Sequence, residues 1–182
     1  MKFFDKITEI EIPSELIEKA KKFAVAVVGT INYSDSFQFS KEKITDDHFI
    51  SKIGEEAVKL AYVPYATVKG PDYSIYEAKY KSWSSDLFIN ETGLAVKTQK
   101  RSAALRYGLS WIFQAGTSRR DRILNMPEAW VCFVEFDDLK SGNQCLVYPP
   151  QQIKSLTFRH PVLARLKGHK QVVYASDLKI ET

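Results

Sequence analysis

The chain has 182 residues, of which 45% are hydrophobic and 26% are charged, a composition that excludes a disordered or low-complexity protein. No apolar run approaches the roughly 20 residues that a membrane-spanning helix needs. The formal net charge of +4 permits a polyanionic partner without requiring one. We therefore expect a single domain over residues 1–182 with no membrane-embedded part.

Two helices are predicted in the first third of the chain. The first begins at Ser14, a good N-cap residue, and runs to about Gly29 with apolar residues at helical spacing. The second is expected to begin at Thr45, which precedes two acids, and to end at Pro64.

The rest of the chain carries mostly strand patterns. Alternation predicts a strand at residues 73–80, and apolar runs at 87–89 and 94–96 flank an Asn-to-Gly turn at 90–93, which predicts a hairpin. The apolar stretch at 130–136 is typical of a central strand. Further strands are predicted at 144–148 and 172–174, and helical turns at 151–156 and 161–167. This order predicts an α/β (α+β) fold in which helices flank a mixed central β-sheet.

The two cysteines, Cys132 and Cys145, are too few for a disulfide framework or a zinc site with four cysteine ligands. Both lie in apolar strand-like runs, so we expect reduced core residues in a cytoplasmic protein. The glycine-rich phosphate loops, the Gly-x-Ser-x-Gly elbow and the His-Glu-x-x-His motif are absent from the sequence, and the three histidines show no ligand spacing.

The predicted hairpin carries the most informative chemistry. Asp86 opens its first strand and Lys97 ends its second, so the fold of the hairpin would bring the two side chains together. A carboxylate beside a lysine at a sheet edge suits Mg²⁺-assisted hydrolysis of a phosphodiester. The carboxylate holds the cation through oxygen, and the lysine supplies positive charge to the reacting phosphate.

Here the sequence resembles the PD-(D/E)XK nuclease superfamily, which includes many restriction endonucleases and Holliday-junction resolvases. The resemblance rests on Asp86, on residues 94–99 around Lys97, and on the upstream helical segment 54–58. The family places an acid on a helix, an aspartate at a strand start, and Glu-x-Lys or Asp-x-Lys on the neighbouring strand. The resemblance implies a restriction-endonuclease-like fold with its core at about 45–136, cleavage of DNA, and Mg²⁺ or Mn²⁺ as cofactor.

The same resemblance assigns roles to particular residues. Asp86 would be the principal metal ligand and Lys97 the catalytic lysine. The helix acid would be Glu55 or Glu56, as a direct or outer ligand. Adjacency to Gly54 favours Glu55, whereas the apolar stripe of the helix puts Glu56 nearer the buried side and Glu55 nearly opposite. On this geometry we favour Glu56 as the catalytic acid and keep Glu55 as a second candidate. The alternative for both is a solvated helix face.

The sequence departs from the family at Ala95, where the motif requires its second acid two residues before Lys97. Alanine cannot bind a metal. The chain is therefore a variant whose acid was removed, a site whose acid has migrated to Glu77 or Glu91, or a relative that binds DNA without cutting it. We favour the first two explanations together.

A second segment matches the letters of the motif, with Asp72 followed by Glu77 and Lys79. The residues between Asp72 and Glu77 have no turn chemistry, and a single strand would put these two acids on opposite faces. The simple alternative is a solvated strand face for Glu77 and Lys79.

The segment 100–122 is predicted to be irregular and basic. Its cations would grip DNA phosphates, and its aromatics Trp111 and Phe113 would either stack on unpaired bases or lie buried beneath the loop. The predicted DNA-binding residues are Lys100, Arg101, Arg106, Arg119, Arg120 and Arg122. A second basic group near the C-terminus, which includes Lys170, is predicted to be a solubilising surface.

The sequence thus predicts an Mg²⁺-dependent DNA endonuclease, of restriction type or involved in phage or host DNA processing. Cutting of both strands would suit a homodimer. The alternatives are a DNA-binding protein without catalysis on the same fold, and a protein-interaction domain with no nucleic-acid role. The nuclease prediction requires that Asp86 and Lys97 share one face of the sheet.

Overall fold

The computed structural model describes residues 3–28, 40–76, 85–117, 119–140 and 143–180. Its helices are α1 (Ser14–Val28), α2 (Lys41–Tyr62) and α3 (Arg101–Tyr107). The larger sheet is built from β1 (Thr8–Glu11), β2 (Val68–Lys69), β3 (Leu87–Ile89), β4 (Thr92–Lys100), β6 (Trp130–Phe136), β7 (Gln144–Val147) and β8 (Gln151–Gln152). The smaller sheet pairs β5 (Ser110–Gln114) with β9 (Lys170–Tyr174).

Helix α2 begins four residues before the predicted start. Ser40 is its N-cap, because the Ser40 hydroxyl oxygen accepts a hydrogen bond from the Lys43 N–H at 3.2 Å. Thr45, the predicted cap, lies inside the helix and donates its hydroxyl to the Lys41 carbonyl at 2.8 Å. The predicted end near Pro64 is confirmed within two residues.

The predicted hairpin is confirmed, with β3 and β4 antiparallel and Leu87 opposite Leu94. Its turn is shorter than the predicted four residues. Asn90 and Glu91 lie in the left-handed region, with φ of 44° and 70°, as expected for a two-residue hairpin turn of type I′. Thr92 already belongs to β4.

Strand β6 is central, as predicted, since it lies between β4 and β7 in the order β1-β7-β6-β4-β3-β2, with β8 also paired to β6. It runs parallel to β4, with Ala95 opposite Val131, and antiparallel to β7. The connection between the parallel strands contains α3 and β5. The prediction that segment 100–122 is irregular is therefore wrong.

The two faces of the larger sheet border separate apolar cores. One core lies between the sheet and α1 and α2, and receives Leu94 and Val96 from β4. The other lies between the sheet and β5–β9, and receives Ala95. Successive residues of β4 therefore point in opposite directions, as the pleat of a strand requires.

The aromatic residues of β5 are core residues and are not available for base stacking. Trp111 and Phe113 are 1% and 0% exposed. Trp111 stacks on Phe133 with ring centroids 4.5 Å apart and donates its indole N–H to the Val134 carbonyl at 2.9 Å. Their burial anchors the smaller sheet against β6.

Other predicted elements differ from the structure. Residues 73–76 form no regular strand, and 77–80 lie outside the described residues. The predicted helix at 161–167 is a single 3₁₀ turn at Ala164–Leu166, and 151–156 is split between β8 and a 3₁₀ turn at Ile153–Ser155. Strand β1 was not predicted, because a four-residue strand with alternating burial gives a weak sequence pattern.

The fold is therefore mixed α/β in a single domain, with a curled mixed sheet flanked by helices. Cys132 and Cys145 are both free and buried, as expected for reduced core residues. Across the described ranges, we find no helix whose length and apolar character would let it cross a bilayer.

Candidate functional site

Asp86 stands immediately before β3, at the end of the hairpin opposite its turn. Continuing the β3–β4 register by one residue places Asp86 directly opposite Ala95, on the sheet face that also carries Lys97. Its Oδ2 accepts a hydrogen bond from the Val96 N–H at 2.7 Å, which fixes the carboxylate against β4. Burial raises the pKa of Asp86 above its usual value, while the Val96 N–H and the charge of Lys97 oppose that rise.

Lys97 extends from β4 toward the connection that follows β5. Its Nζ donates a hydrogen bond to Asp121 Oδ2 at 2.7 Å and lies 4.9 Å from the centre of the Phe113 ring. The Lys97 and Asp121 side chains are 27% and 24% exposed, so the pair is accessible from solvent. The structure therefore brings Asp86 and Lys97 to one face, with Asp121 as a third charged group.

Of the two helix acids, Glu55 is the one whose pKa is influenced by the charge of Asp86. It is 6% exposed, and Lys52 Nζ contacts its Oε2 at 2.6 Å. Burial raises the pKa of Glu55 to about 8, against the attraction of Lys52, and the negative charge of Asp86 adds to the rise. The expectation that Glu55 lies opposite the buried stripe is wrong, because α2 is covered along this stretch on more than one side.

Glu56 is also buried, at 1% exposure, so the alternative of two surface acids is wrong as well. Its Oε1 accepts a hydrogen bond from the Tyr73 hydroxyl at 3.0 Å, and Lys59 Nζ lies 3.9 Å from its Oε2. Glu56 Oε2 accepts no hydrogen bond from the described residues. Its observed partners are thus Tyr73 and Lys59, whereas Glu55 is the acid coupled to Asp86.

A tight contact between α2 and β4 holds the helix acid near the hairpin. Gly54 has no side chain, and a Cβ built there would overlap Thr98 Oγ1. The helix backbone therefore approaches β4 more closely than any other residue would allow. Glu55 follows Gly54 directly, so this approach sets the position of Glu55 relative to Asp86 and Lys97.

Asp121 is the site residue that the sequence did not predict. It lies 24 residues after Lys97 and within the basic run that contains Arg119, Arg120 and Arg122, where a single acid attracts no notice. The signal that could have found it is the N-cap position before the 3₁₀ turn at Arg122–Asn125, although its carboxylate makes no cap hydrogen bond there.

The other acids considered from sequence do not join this group. Glu91 is exposed in the hairpin turn, at the far end of the hairpin from Asp86. Asp72 accepts hydrogen bonds from the Ser74 N–H at 2.8 Å and from the Tyr76 hydroxyl at 2.7 Å. Glu77 and Lys79 lie outside the described residues.

Several of the predicted DNA-binding cations are paired with acids of the chain. Lys100 Nζ contacts Asp46 Oδ1 at 2.6 Å, and Arg101 Nη1 contacts Asp137 Oδ2 at 2.7 Å. Arg106 lies over the Tyr107 ring, and Arg120 makes long hydrogen bonds to Asn125 and to the Ala115 carbonyl. Within the described ranges, Arg106, Arg119 and Arg122 have no carboxylate within ion-pair distance.

Lys170 belongs to the same area, contrary to its predicted place on a solubilising surface. It stands opposite Gln114 in the β5–β9 register, and the Gln114 N–H donates to Asp121 Oδ2 at 3.1 Å. Burial lowers the pKa of Lys170, and the positive charges of Arg119 and Lys43 lower it further against the opposing pull of Asp47 and Asp121. Lys170 therefore lies within electrostatic reach of Asp121 and of two other cations, of which Lys43 is paired with Asp47 at 3.1 Å.

Mg²⁺ prefers oxygen ligands, and the acids of this site carry carboxylate oxygens. In the part of the chain that the structure describes, no group of three or more Asp, Glu, His or Cys side chains is arranged to hold a metal ion. Asp86 and Glu55 supply two carboxylates whose mutual repulsion and burial a hard cation would relieve. One or two carboxylates with waters and substrate phosphates is a common Mg²⁺ environment, so these residues fit the ion.

The sequence matches no family model, and neither a curated protein nor a solved structure matches the chain. Function is therefore argued from the site itself.

Proposed function

We propose that the protein is an Mg²⁺-dependent DNA endonuclease with a restriction-endonuclease-like fold. One observation supports this proposal most strongly. Asp86, at the start of β3, lies within electrostatic reach of both Glu55 from α2 and Lys97 from β4, as the resemblance to the PD-(D/E)XK superfamily implies. A buried glutamate so close to a second, partly buried acid is costly to assemble without a function.

Asp86 and Glu55 would hold the cation, which when bound would polarise a phosphate oxygen and lower the pKa of a water. The hydrogen bond from the Val96 N–H engages Asp86 Oδ2, so Oδ1 would be the oxygen offered to the cation. Lys97 would place its ammonium group where negative charge develops on the phosphate. The carboxylates would serve to bind and orient the cation, and Glu55, whose pKa is raised to about 8, would release its proton as the cation binds.

The charges around the site suit a phosphate backbone. Lys170 lies within electrostatic reach of Arg119 and Lys43, and a bound anion would relieve the burial and like charges that lower the pKa of Lys170. Lys43 also contacts Asp47 at 3.1 Å. Lys100 and Arg101 already contact acids, so we assign them a smaller share of DNA binding. The proposed DNA path therefore crosses the face between α2 and the β5–β9 sheet.

Cleavage assays on supercoiled and linear duplex DNA test the proposal. The wild type should cut DNA with Mg²⁺ or Mn²⁺ and not with EDTA, and Asp86→Asn should lower the rate at least about a hundredfold. Asp177→Asn is the matched control, because Asp177 also accepts a 2.7 Å hydrogen bond, from Arg159, and lies in the 3₁₀ turn that follows β9. Cleavage in EDTA, or equal rates for the wild type and Asp86→Asn, would contradict the proposal.

Cutting both strands of a duplex calls for two sites, so we propose that the protein acts as a homodimer on DNA. Sedimentation of the protein with an uncut duplex in Ca²⁺ should give two chains per duplex. A single chain per duplex together with double-strand breaks would contradict this arrangement.

A non-catalytic DNA-binding protein is the second candidate, and Ala95 favours it. Alanine removes the motif's second acid, and Asp121 neutralises Lys97 at 2.7 Å. A protein that only binds would hold DNA equally well in EDTA and in Ca²⁺, and would remain inert after Ala95→Glu. The nuclease proposal expects tighter DNA binding with Ca²⁺, because the cation would bridge the carboxylates and a phosphate.

A further inference from the structure

Position 95 is the place on the sheet where an acid would face both Asp86 and Lys97. Ala95 lies opposite Asp86 by the extended hairpin register and two residues before Lys97 on the same face. The alanine side chain instead packs against the core beneath the β5–β9 sheet, which Ile123 also joins. Segment 121–124 and Ala95 therefore border the same apolar core.

Asp121 begins that segment and is firmly held. Its N–H donates to the Gln114 carbonyl at 2.9 Å, the Gln114 N–H donates back to its Oδ2 at 3.1 Å, and its own carbonyl accepts from the Leu124 N–H at 3.1 Å. The same Oδ2 accepts the 2.7 Å hydrogen bond from Lys97 Nζ. These hydrogen bonds therefore fix the Asp121 carboxylate beside the Lys97 amine.

We infer that Asp121 is the positioning residue of Lys97 and replaces the acid that the motif would place at position 95. This inference rests on the proposed function and deepens it, since it names where the missing carboxylate of the site comes from. A lysine side chain has four rotatable bonds, and a fixed carboxylate confines its amine to the face that carries Asp86. The acid has in effect moved from β4 to the connection between β5 and β6.

Amine labelling tests the contact without metal or DNA. In competitive acetylation followed by mass spectrometry, Lys97 of the metal-free wild type should react slowly relative to the exposed Lys21. Asp121→Asn should raise that relative rate about fivefold, because asparagine keeps an oxygen for the Gln114 N–H but loses the charge. Adding Ala95→Glu to Asp121→Asn should return the rate to within about twofold of the wild type.

Cleavage by the same variants tests the role in the reaction. Asp121→Asn should lower the Mg²⁺-dependent rate about thirtyfold with little change in DNA affinity, and the double variant should recover most of the loss. Ala95→Glu should give no recovery in Asp86→Asn, because a metal ligand is then missing. Asp177→Asn is again the control, and thermal melts confirm that each variant is folded.

The outcomes separate the inference from the proposal on which it rests. Unchanged labelling of Lys97 in Asp121→Asn overturns the inference alone, as does a double variant that recovers neither labelling nor cleavage. Absence of cleavage in the wild type and in every variant overturns the proposed function, and the reaction to which Asp121 would contribute is lost with it.

Discussion

The two faces of β4 are held in different ways. On one face, Leu94 and Val96 enter the core beneath α2, and Thr98 meets the backbone of Gly54. On the other, Lys97 and its neighbours are held by hydrogen bonds from segments distant in sequence. Close packing fixes the first face, and its rigidity sets where the charges of the second face can meet.

The largest expected effect comes from breaking the packed face at Gly54→Ala. The new Cβ would overlap Thr98 Oγ1, and we expect a loss of about 1–3 kcal/mol in the free energy of unfolding despite the better helix propensity of alanine. Urea denaturation measures the loss. Cleavage should fall with it, because Glu55 moves away from Asp86.

Two variants sharpen the Gly54 prediction. Thr98→Ala removes the hydroxyl that overlaps, which accepts no hydrogen bond from the described residues, and should restore part of the stability in the double variant. Gly116→Ala is the control, since a Cβ there meets its nearest atom at 3.5 Å. Equal effects of Gly54→Ala and Gly116→Ala would show that close approach at Gly54 is unimportant.

The second prediction concerns Glu55, which sits where the packed face meets the charged one. Its pKa is raised from 4.5 to about 8, so the metal-free folded protein binds one more proton than the unfolded chain between those values. Stability in EDTA should therefore fall as the pH rises through that window. Relative to the wild type, Glu55→Gln should gain roughly 4 kcal/mol between pH 5 and pH 8.5, at about 1.4 kcal/mol for each pH unit up to 8.

Urea denaturation at both pH values measures that gain, with Glu128→Gln as the exposed control. Lys52 limits the size of the effect, because its ion pair with Glu55 at 2.6 Å favours the ionised acid. A stability difference between Glu55→Gln and the wild type that does not change with pH would mean that Glu55 is already ionised at pH 5.

The same contrast explains how much of the site could be predicted from sequence. The hairpin could be predicted, because a two-residue turn between apolar runs is a local pattern, and with it came the approach of Asp86 to within electrostatic reach of Lys97. The choice between Glu55 and Glu56 could not, because it depends on how close α2 approaches β4 at Gly54. A helical stripe describes one buried face, whereas α2 is packed on several sides.

Asp121 and Lys170 lay beyond sequence reasoning for a different reason. Asp121 reaches Lys97 only because the connection between β4 and β6 folds back through β5, and Lys170 reaches the same place through β9. Contacts between residues that are 24 or more positions apart leave no periodic trace in a single sequence. The burial of Trp111 and Phe113 could not be predicted either, because tryptophan and phenylalanine occur both in protein cores and in base-stacking sites.

The third prediction tests the charged face through Lys170→Met. The substitution keeps an apolar stem for the half-buried part of the side chain and removes one cation near Arg119. We expect DNA affinity in Ca²⁺ to fall about fivefold at low salt, and the slope of log affinity against log salt to decrease by about one. Fluorescence anisotropy over a salt series measures both quantities.

Lys154→Met is the matched control, because Lys154 is an exposed lysine paired with Glu128 at 2.7 Å. It should leave the salt slope unchanged. Equal slopes for the two variants would place the DNA path away from the β5–β9 sheet.

The smallest expected effect is that of Ala95→Glu in the otherwise unchanged chain. An added acid opposite Asp86 should raise metal-dependent cleavage, since it restores the motif's own carboxylate. The gain should be only about threefold, because Asp121 already contacts Lys97. Initial rates on a plasmid with Mn²⁺ measure it, and a gain of about a hundredfold or more would mean that Asp121 does little for the native site.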